Sequence, residues 1–211
     1  MNKSVTPVIQ AEDPDRSLLS HPVHLPPSGL VTYWPGWIGA PEADRLFALW
    51  SETLDWQQRP IRLFGREIMQ PRLTCFYGEP GVEYRYSGKT LEAQRWPNEL
   101  KALSERLDRE IDEAFNSVLC NLYRDGGDSM GWHADDEAEL GVDPVIASVS
   151  LGESRRFRLK PRGSGKPLSI DLHHGSLLVM SGDLQHHWLH ELPKTRKNLG
   201  PRINLTFRRI A

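Results

Sequence analysis

At 211 residues and 38% hydrophobic content, the chain is long enough for one globular domain with a substantial core. The formal net charge of -2 excludes a global basic field, so any nucleic-acid contact must come from local clusters of positive charge. No apolar run reaches the roughly 20 residues of a membrane span, and the N-terminus lacks the apolar stretch of a secretory signal. Only two cysteines are present, Cys75 and Cys120, which favours reduced thiols and a cytoplasmic location, or a nuclear one in a eukaryote.

The first predicted elements are a tail and two helices. Residues 1–28 are polar and rich in proline, so we expect a poorly ordered N-terminal tail followed by a single domain at 29–211. One helix is predicted from residue 41 to about residue 54, with a proline in its first turn. A second is predicted from about residue 97 to residue 115, where apolar side chains recur at three- and four-residue spacing.

Beyond residue 115 the hydrophobic period changes to two, which is typical of strands. Short strands are predicted at residues 118–123, 145–151, 157–160, 168–172, 176–180 and 203–209. Turn sequences rich in glycine separate them, and many short strands with such turns indicate a sandwich or closed double sheet. The expected fold is therefore α+β and β-dominated: a double-stranded β-helix, or jelly roll, with supporting N-terminal helices.

The last predicted strand has one polar face and one apolar face, because alternate residues of a strand share a face. The polar residues are Arg202, Asn204, Thr206 and Arg208, and the apolar residues are Ile203, Leu205 and Phe207. If this strand is buried on both faces, its two arginines need anionic partners, since an unpaired buried charge is costly. A bound dicarboxylate would supply them. The same parity places Asn121 and Tyr123 on one face of their strand.

A possible metal site begins with His133 and Asp135, which would project together from an extended segment. Two imidazoles and one carboxylate fill half of an octahedral Fe(II) site and leave positions for a bidentate 2-oxo acid and for dioxygen. The spacing leaves the second imidazole open, because five histidines lie downstream: His173, His174, His186, His187 and His190.

Several segments resemble the AlkB family of 2-oxoglutarate-dependent nucleic-acid dealkylases. The stretch NLYRDGGDSMGWHADD at residues 121–136 resembles the family's metal and cosubstrate segment. The stretch PVIASVSLG at 144–152, followed by RRF at 155–157, resembles the family's next strand pair. GSLLVM at 175–180 and WLHELP at 188–193 resemble its closing strands, and PRINLTFRR at 201–209 resembles its arginine strand. The similarity covers roughly residues 60 to 210 and is closest to the branch that repairs duplex DNA.

The resemblance implies Fe(II) and 2-oxoglutarate as cofactor and cosubstrate. It implies His133, Asp135 and His190 as the iron ligands, since His190 takes the place of the histidine in the family's His-x-Leu-Pro motif. Arg202 would hold the distal carboxylate of 2-oxoglutarate and Arg208 would lie nearer the chelating end. The full implied set for 2-oxoglutarate is Asn121, Tyr123, Arg202, Asn204, Thr206 and Arg208.

On the substrate side, the resemblance implies a nucleotide-recognition lid at about residues 60–90. Phe64 would enter the duplex as an apolar wedge, although it could equally be ordinary strand core. Asp136 resembles the acid that meets the flipped base, and Tyr84 or Trp132 could stack on that base. The implied substrate-binding residues are Phe64, Gly65, Arg66, Tyr84, Arg85, Tyr86 and Asp136.

The implied reaction is oxidative demethylation of N-alkylated bases in DNA, such as 1-methyladenine and 3-methylcytosine, with release of formaldehyde, succinate and CO2. The same chemistry on RNA or on a protein side chain is an alternative, and a non-catalytic nucleic-acid-binding module is a third. The expected partner is alkylated DNA, or RNA. No membrane and no obligate protein partner are expected.

Overall fold

The computed structural model describes residues 23–25, 28–63, 66–86 and 89–211. The helices are α1 (Ala40–Thr53), α2 (Asn98–Ile111) and α3 (Leu184–His187), and Ala138–Leu140 forms one turn of 3-10 helix. The strands are β1 (Val23–His24), β2 (Leu30–Trp34), β3 (Pro60–Leu63), β4 (Arg66–Met69), β5 (Leu73–Gly78), β6 (Glu83–Tyr86), β7 (Lys89–Glu92), β8 (Gln94–Arg95), β9 (Ser117–Tyr123), β10 (Met130–His133), β11 (Ile146–Gly152), β12 (Arg155–Pro161), β13 (Leu168–Leu172), β14 (Ser176–Ser181), β15 (Trp188–Leu192) and β16 (Arg202–Arg208).

The strands form two main sheets. The large sheet has eight strands in the order β1-β2-β14-β11-β16-β9-β5-β8, and the small sheet has four in the order β10-β15-β12-β13. Their pairings are antiparallel apart from the short parallel pair of β5 and β8. Two further hairpins, β3 with β4 and β6 with β7, lie in the region predicted as a lid. The strand-dominated fold confirms the expected jelly-roll class.

All six predicted strands are present, within two residues of their expected ends. The strands before residue 117, the edge strand β10 and the interior strand β15 were not predicted, because they are short segments without clear alternation. Both predicted helices are also present. The second ends at Ile111 and not at residue 115, because Asp112 adopts the left-handed conformation with φ of 52° and the chain turns away.

The N-terminal segment differs from expectation at its end. Val23 and His24 form β1 and pair with Val31 and Leu30 at the edge of the large sheet, so this part of the predicted tail joins the fold. The prediction for residues 1–22 lies outside the described residues. Among the residues that the structure describes, no helix is long and apolar enough to cross a membrane.

The molecule has three layers and two cores. Helices α1 and α2 place Leu46, Trp50 and Leu107 against one face of the large sheet, where Val149 and Leu205 are fully buried. On its other face, a second core lies between the two sheets. Its buried residues include Leu119, Leu178, Phe157, Leu159 and Ile170. The inner face of the large sheet therefore looks toward the small sheet, and this space contains the candidate site.

The two cysteines face each other across β5 and β9 in the helix-side core. Cys75 and Cys120 are register partners, and both are free thiols that are almost completely buried. Burial raises the pKa of the Cys120 thiol well above its ordinary value. The prediction of two unpaired thiols is therefore confirmed.

Gly175 is a position where the fold requires glycine. Its φ is +74°, its carbonyl accepts a hydrogen bond from the Ile38 amide, and a Cβ would collide with the Ile38 carbonyl oxygen. We expect Gly175→Ala to lower the free energy of unfolding by about 2–4 kcal/mol, measured by urea denaturation. Gly163→Ala is the matched control, because no atom lies within 4 Å of its added Cβ. Equal losses in the two variants would contradict this account.

Candidate active site

A cleft that is partly open to solvent lies between the inner faces of the two sheets. Its polar lining is Arg72, Asn121, Tyr123, His133, Asp135, Ser148, His190, Arg202, Asn204, Thr206 and Arg208. Its apolar lining is Leu119, Met130, Phe157, Leu172, Met180 and Leu192. The structure thus brings into one cleft every residue predicted to bind iron or 2-oxoglutarate.

His133, Asp135 and His190 form the one group of three ligand-type side chains found among the described residues. One ligand atom from each lies within 4.8 Å of the others. Strand pairing produces this arrangement, because His133 at the end of β10 is the register partner of His190 in β15. Asp135 follows two residues later. Its backbone N–H donates a 3.0 Å hydrogen bond to Oε1 of the Gln185 side chain.

The electrostatics of this group suit a divalent metal. Burial lowers the pKa of His190 to about 3 and also lowers that of His133, so both imidazoles are neutral and can act as ligands at neutral pH. Nδ1 of His133 lies 2.8 Å from the Gly131 carbonyl oxygen. A proton on Nδ1 would donate to that oxygen and leave the lone pair of Nε2 free to bind a metal. Burial alone would raise the pKa of Asp135, but Arg208 and the two histidines outweigh it and lower this pKa to about 2.

Three of the four other downstream histidines lie beside carboxylates away from this group, and Nδ1 of the fourth, His173, lies 3.1 Å from Oγ of Ser154. His174 lies 3.2 Å from Asp44, and His186 lies 3.1 Å from Asp143. His187 lies 3.5 Å from Asp183. Spacing in the sequence left the third ligand open among five histidines, and the fold places His190 beside His133.

The two arginines of β16 have different environments. Arg208 donates a 2.6 Å hydrogen bond to Oδ1 of Asp135, and its pKa is raised because the buried carboxylate outweighs the effect of burial. Arg202 is 2% exposed and donates to Oγ of Ser150, while its Nε has no partner. No described residue offers Arg202 a carboxylate, and burial lowers its pKa to about 10. The sequence predicted that both buried arginines need an anionic partner. Asp135 is that partner for Arg208, whereas Arg202 has none among the described residues.

Between these arginines, polar side chains form a ladder across β11 and β16. Nδ2 of Asn204 donates to Oγ of Ser148 at 2.8 Å, and Oγ1 of Thr206 donates to Oδ1 of Asn204 at 3.0 Å. On the neighbouring strand, Oδ1 of Asn121 accepts from Nε of Arg72 at 2.8 Å. The ladder separates the metal-ligand group at one end of the cleft from Arg202 at the other.

The comparisons with known proteins agree with this geometry. The family model described as the 2OG-Fe(II) oxygenase superfamily matches residues 30–208. Alpha-ketoglutarate-dependent dioxygenase alkB homolog 3 from Homo sapiens is 38% identical over 200 residues, which cover 89% of this chain and 69% of that protein. DNA oxidative demethylase ALKBH2 from Mus musculus is 36% identical over 198 residues, covering 89% of this chain and 83% of that protein.

This chain belongs to the AlkB family of the 2OG-Fe(II) oxygenase superfamily. The solved structure of OsALKBH1 shares the fold of the oxygenase, with a TM-score of 0.58 over 85% of this chain and 97% of that one. Its sequence identity is 16%, so this likeness concerns the fold alone.

The oxygenase is an enzyme that depends on Fe(II) and 2-oxoglutarate, and its cleft fits both. Two neutral imidazoles and one ionised carboxylate are the donor set of a facial non-haem iron site. Arg202 is a buried cation whose described surroundings lack an anion, as a carboxylate-binding arginine should be before its ligand arrives. The predicted role of each side chain remains a proposal, which we take up below.

The substrate side of the oxygenase is described in part. Phe64 and Gly65 lie outside the described residues, and the side chains of Arg66, Arg85 and Tyr86 lie outside them as well. Asp136 is exposed near the cleft and pairs with Arg162. The Trp132 ring lies 5.3 Å from the guanidinium of Arg158 and 4.4 Å from the ammonium of Lys160.

Tyr84 differs from what its predicted stacking role suggests. It is fully buried, its ring lies 5.3 Å from the Arg208 guanidinium, and its hydroxyl donates a 2.9 Å hydrogen bond to Glu137. The ring is also absent from the cleft lining, so contact with a base would require Tyr84 to move.

Sequence reasoning missed several polar residues around the cleft. Burial and the neighbouring Asp135 raise the pKa of Glu137, and its Oε2 has no hydrogen-bond partner. Ser148 and Ser150 could have been found, because they alternate with apolar residues in β11 as the polar residues of β16 do. Gln185 and Arg155 had no comparable signal, since only the fold shows which backbone groups they bind.

Proposed function

We propose that this oxygenase removes methyl groups from the nitrogen atoms of damaged DNA bases, with 1-methyladenine and 3-methylcytosine as substrates. Bound Fe(II) supplies activation of O2 coupled to conversion of 2-oxoglutarate into succinate and CO2. The N-methyl group becomes hydroxymethyl. Its hydroxyl then loses a proton as the N–C bond breaks, so formaldehyde leaves and the electron pair of that bond returns to the ring nitrogen.

The observation that carries this proposal is the pairing of two features in one cleft: a His-Asp-His group and an uncompensated buried arginine. We propose His133, Asp135 and His190 as the iron ligands. A relative 36% identical to this chain is named a DNA oxidative demethylase, which supports DNA as the substrate class. A cytoplasmic or nuclear location, as for an enzyme that acts on DNA, is part of the proposal.

The protein's own side chains would position the reactants. Arg202 would bind the distal carboxylate of 2-oxoglutarate through its planar guanidinium, a geometry that lysine cannot copy. Four polar side chains line the path from Arg202 to the metal ligands and would hydrogen-bond 2-oxoglutarate: Asn121, Tyr123, Asn204 and Thr206. Arg208 would act differently from the expectation, by keeping Asp135 ionised and oriented.

On the substrate side we propose Asp136 near the opening of the cleft as the acid that meets the flipped base. A methylated base is cationic or electron-poor, so a carboxylate near the opening favours it. The roles of Phe64 as the wedge, and of Gly65, Arg66, Arg85 and Tyr86 as lid residues, stay predictions.

The experiment that tests the function is anaerobic reconstitution with Fe(II), followed by oxygen, 2-oxoglutarate and a DNA duplex with one 3-methylcytosine. We expect loss of the methyl group from the base by mass spectrometry, with one formaldehyde and one succinate released for each repaired base. His133→Ala is expected to abolish all three changes, because it removes a proposed iron ligand.

Two other outcomes separate the alternatives. Succinate formation without DNA repair would overturn DNA as the substrate, and the same assay on methylated RNA would then follow. Absence of succinate under every condition, from protein that binds Fe(II), would overturn the oxygenase mechanism at this site.

A further inference from the structure

Arg155 is a buried cation held by backbone carbonyl groups. It lies in β12 and is 3% exposed. Its NH1 donates to the carbonyl oxygen of Asp125 at 3.0 Å, and its NH2 donates to those of Asp128 and Pro193 at 2.9 Å each. The three carbonyl groups accept three of the five N–H donors of the guanidinium but do not neutralise its charge.

No described carboxylate pairs directly with Arg155. The Asp128 side chain, whose own backbone carbonyl binds Arg155, is bonded to Arg124 instead, through the Arg124 backbone amide and two guanidinium nitrogens at 2.8–2.9 Å. Burial accordingly lowers the pKa of Arg155. Burial outweighs the opposing effect of Asp128, Asp125 and Glu153, which act on Arg155 without a direct ion pair.

The carbonyl groups bound by Arg155 belong to two segments that lead into the metal-ligand region. Asp125 and Asp128 lie in the turn between β9 and β10. His133 is the last residue of β10. Pro193 directly follows β15, which carries His190. One side chain therefore ties together the chain segments on either side of the site.

Arg155 also lies close to Tyr123, one of the residues that line the cleft. Its guanidinium carbon is 5.8 Å from the centroid of the Tyr123 ring, and that of Arg202 is 5.4 Å from the same centroid. Tyr123 is 4% exposed and is the register partner of Arg202. Two guanidinium groups thus share one aromatic ring at the end of the cleft opposite the metal ligands.

We propose that Arg155 is a positioning residue for 2-oxoglutarate: it fixes the Tyr123 ring and adds a second buried positive charge behind Arg202, where the distal carboxylate binds. The inference rests on the proposed function, because it takes 2-oxoglutarate as the ligand of Arg202. It follows that Arg155 favours a 2-oxo acid with two carboxylates over one with a single carboxylate, without touching either.

The test compares two ligands that differ in the distal carboxylate, 2-oxoglutarate and 2-oxobutyrate. Each is titrated by calorimetry into the full chain loaded with Fe(II) under anaerobic conditions. Arg155→Gln removes the charge and keeps two N–H donors on a shorter side chain, whereas Arg155→Lys keeps the charge. Arg156→Met is the matched control, because this neighbouring arginine is exposed and pairs with Asp171 on the outer face.

We expect Arg155→Gln to raise the Kd for 2-oxoglutarate roughly tenfold and to change the Kd for 2-oxobutyrate by less than about twofold. Arg155→Lys should restore most of the preference, and Arg156→Met should leave both constants unchanged. Because both acids bind only folded protein, the ratio of the two constants does not depend on how much of a variant is folded. Where the glutamine variant does not fold, Arg155→Met, which keeps the apolar stem, takes its place.

The outcomes separate this inference from the proposed function. Wild-type protein that fails to bind 2-oxoglutarate overturns the proposed function and the inference together. Wild-type binding with an unchanged ratio in the charge-removing variant overturns the role of Arg155 alone. Equal weakening of both acids also overturns it, because that result is expected of a residue that only maintains the fold.

Discussion

Asp135→Ala is expected to abolish succinate formation and also to lower the free energy of unfolding of the metal-free protein by about 3–5 kcal/mol. Both effects follow from one carboxylate. Asp135 is a proposed iron ligand, and it is also the counter-ion of Arg208, which is 5% exposed and 2.6 Å away. Its removal leaves a buried guanidinium without an anion. Urea denaturation in the presence of a chelator measures the stability effect.

Two variants isolate the ion pair from the metal. His133→Ala removes a proposed ligand but no counter-ion, so its metal-free form should lose no more than about 2 kcal/mol. The double variant Asp135→Ala with Arg208→Met should recover most of the stability lost by Asp135→Ala while remaining inactive. If Asp135→Ala is as stable as His133→Ala without metal, the pair with Arg208 does not contribute as described.

Arg202→Met is expected to raise the KM for 2-oxoglutarate roughly a hundredfold or more, with a smaller fall in kcat at saturation. The same variant should leave the metal-free protein as stable as the wild type, or make it more stable. Arg202 differs from Arg208 in this respect, because none of the described residues supplies it with a carboxylate and it already bears the cost of an unpaired buried charge. Succinate formation as a function of 2-oxoglutarate concentration measures the first effect, and urea denaturation measures the second.

Arg202→Lys distinguishes charge from shape at this position. Lysine keeps a positive charge but not the planar fork, so it should recover little of the affinity for 2-oxoglutarate. Arg156→Met again serves as the control, because it removes an exposed arginine from the small sheet, outside the cleft. A KM for 2-oxoglutarate that stays within about threefold of the wild-type value in Arg202→Met would contradict the assignment of Arg202.

The contrast between the two arginines of β16 illustrates what a sequence can and cannot predict. Alternation placed Arg202 and Arg208 on the same face, and both line the cleft as that pattern requires. The alternation of the strand says nothing about which of them has an internal partner. Asp135 lies 73 residues away along the chain, and the fold brings it to Arg208 and not to Arg202.

Local patterns in the sequence were sufficient for the strand-dominated class, the two supporting helices and the polar face of β16, because each depends on residues a few positions apart. The motif segments were sufficient for the family. Spacing left five histidines open and only the motif resemblance selected His190; the tertiary structure supplies the physical reason, because the pairing of β10 with β15 places His190 beside His133. Only the tertiary structure decided which buried cations lack a direct carboxylate partner among the described residues, Arg202 and Arg155, because the counter-charge of a side chain comes from residues that are distant in sequence and adjacent only after folding.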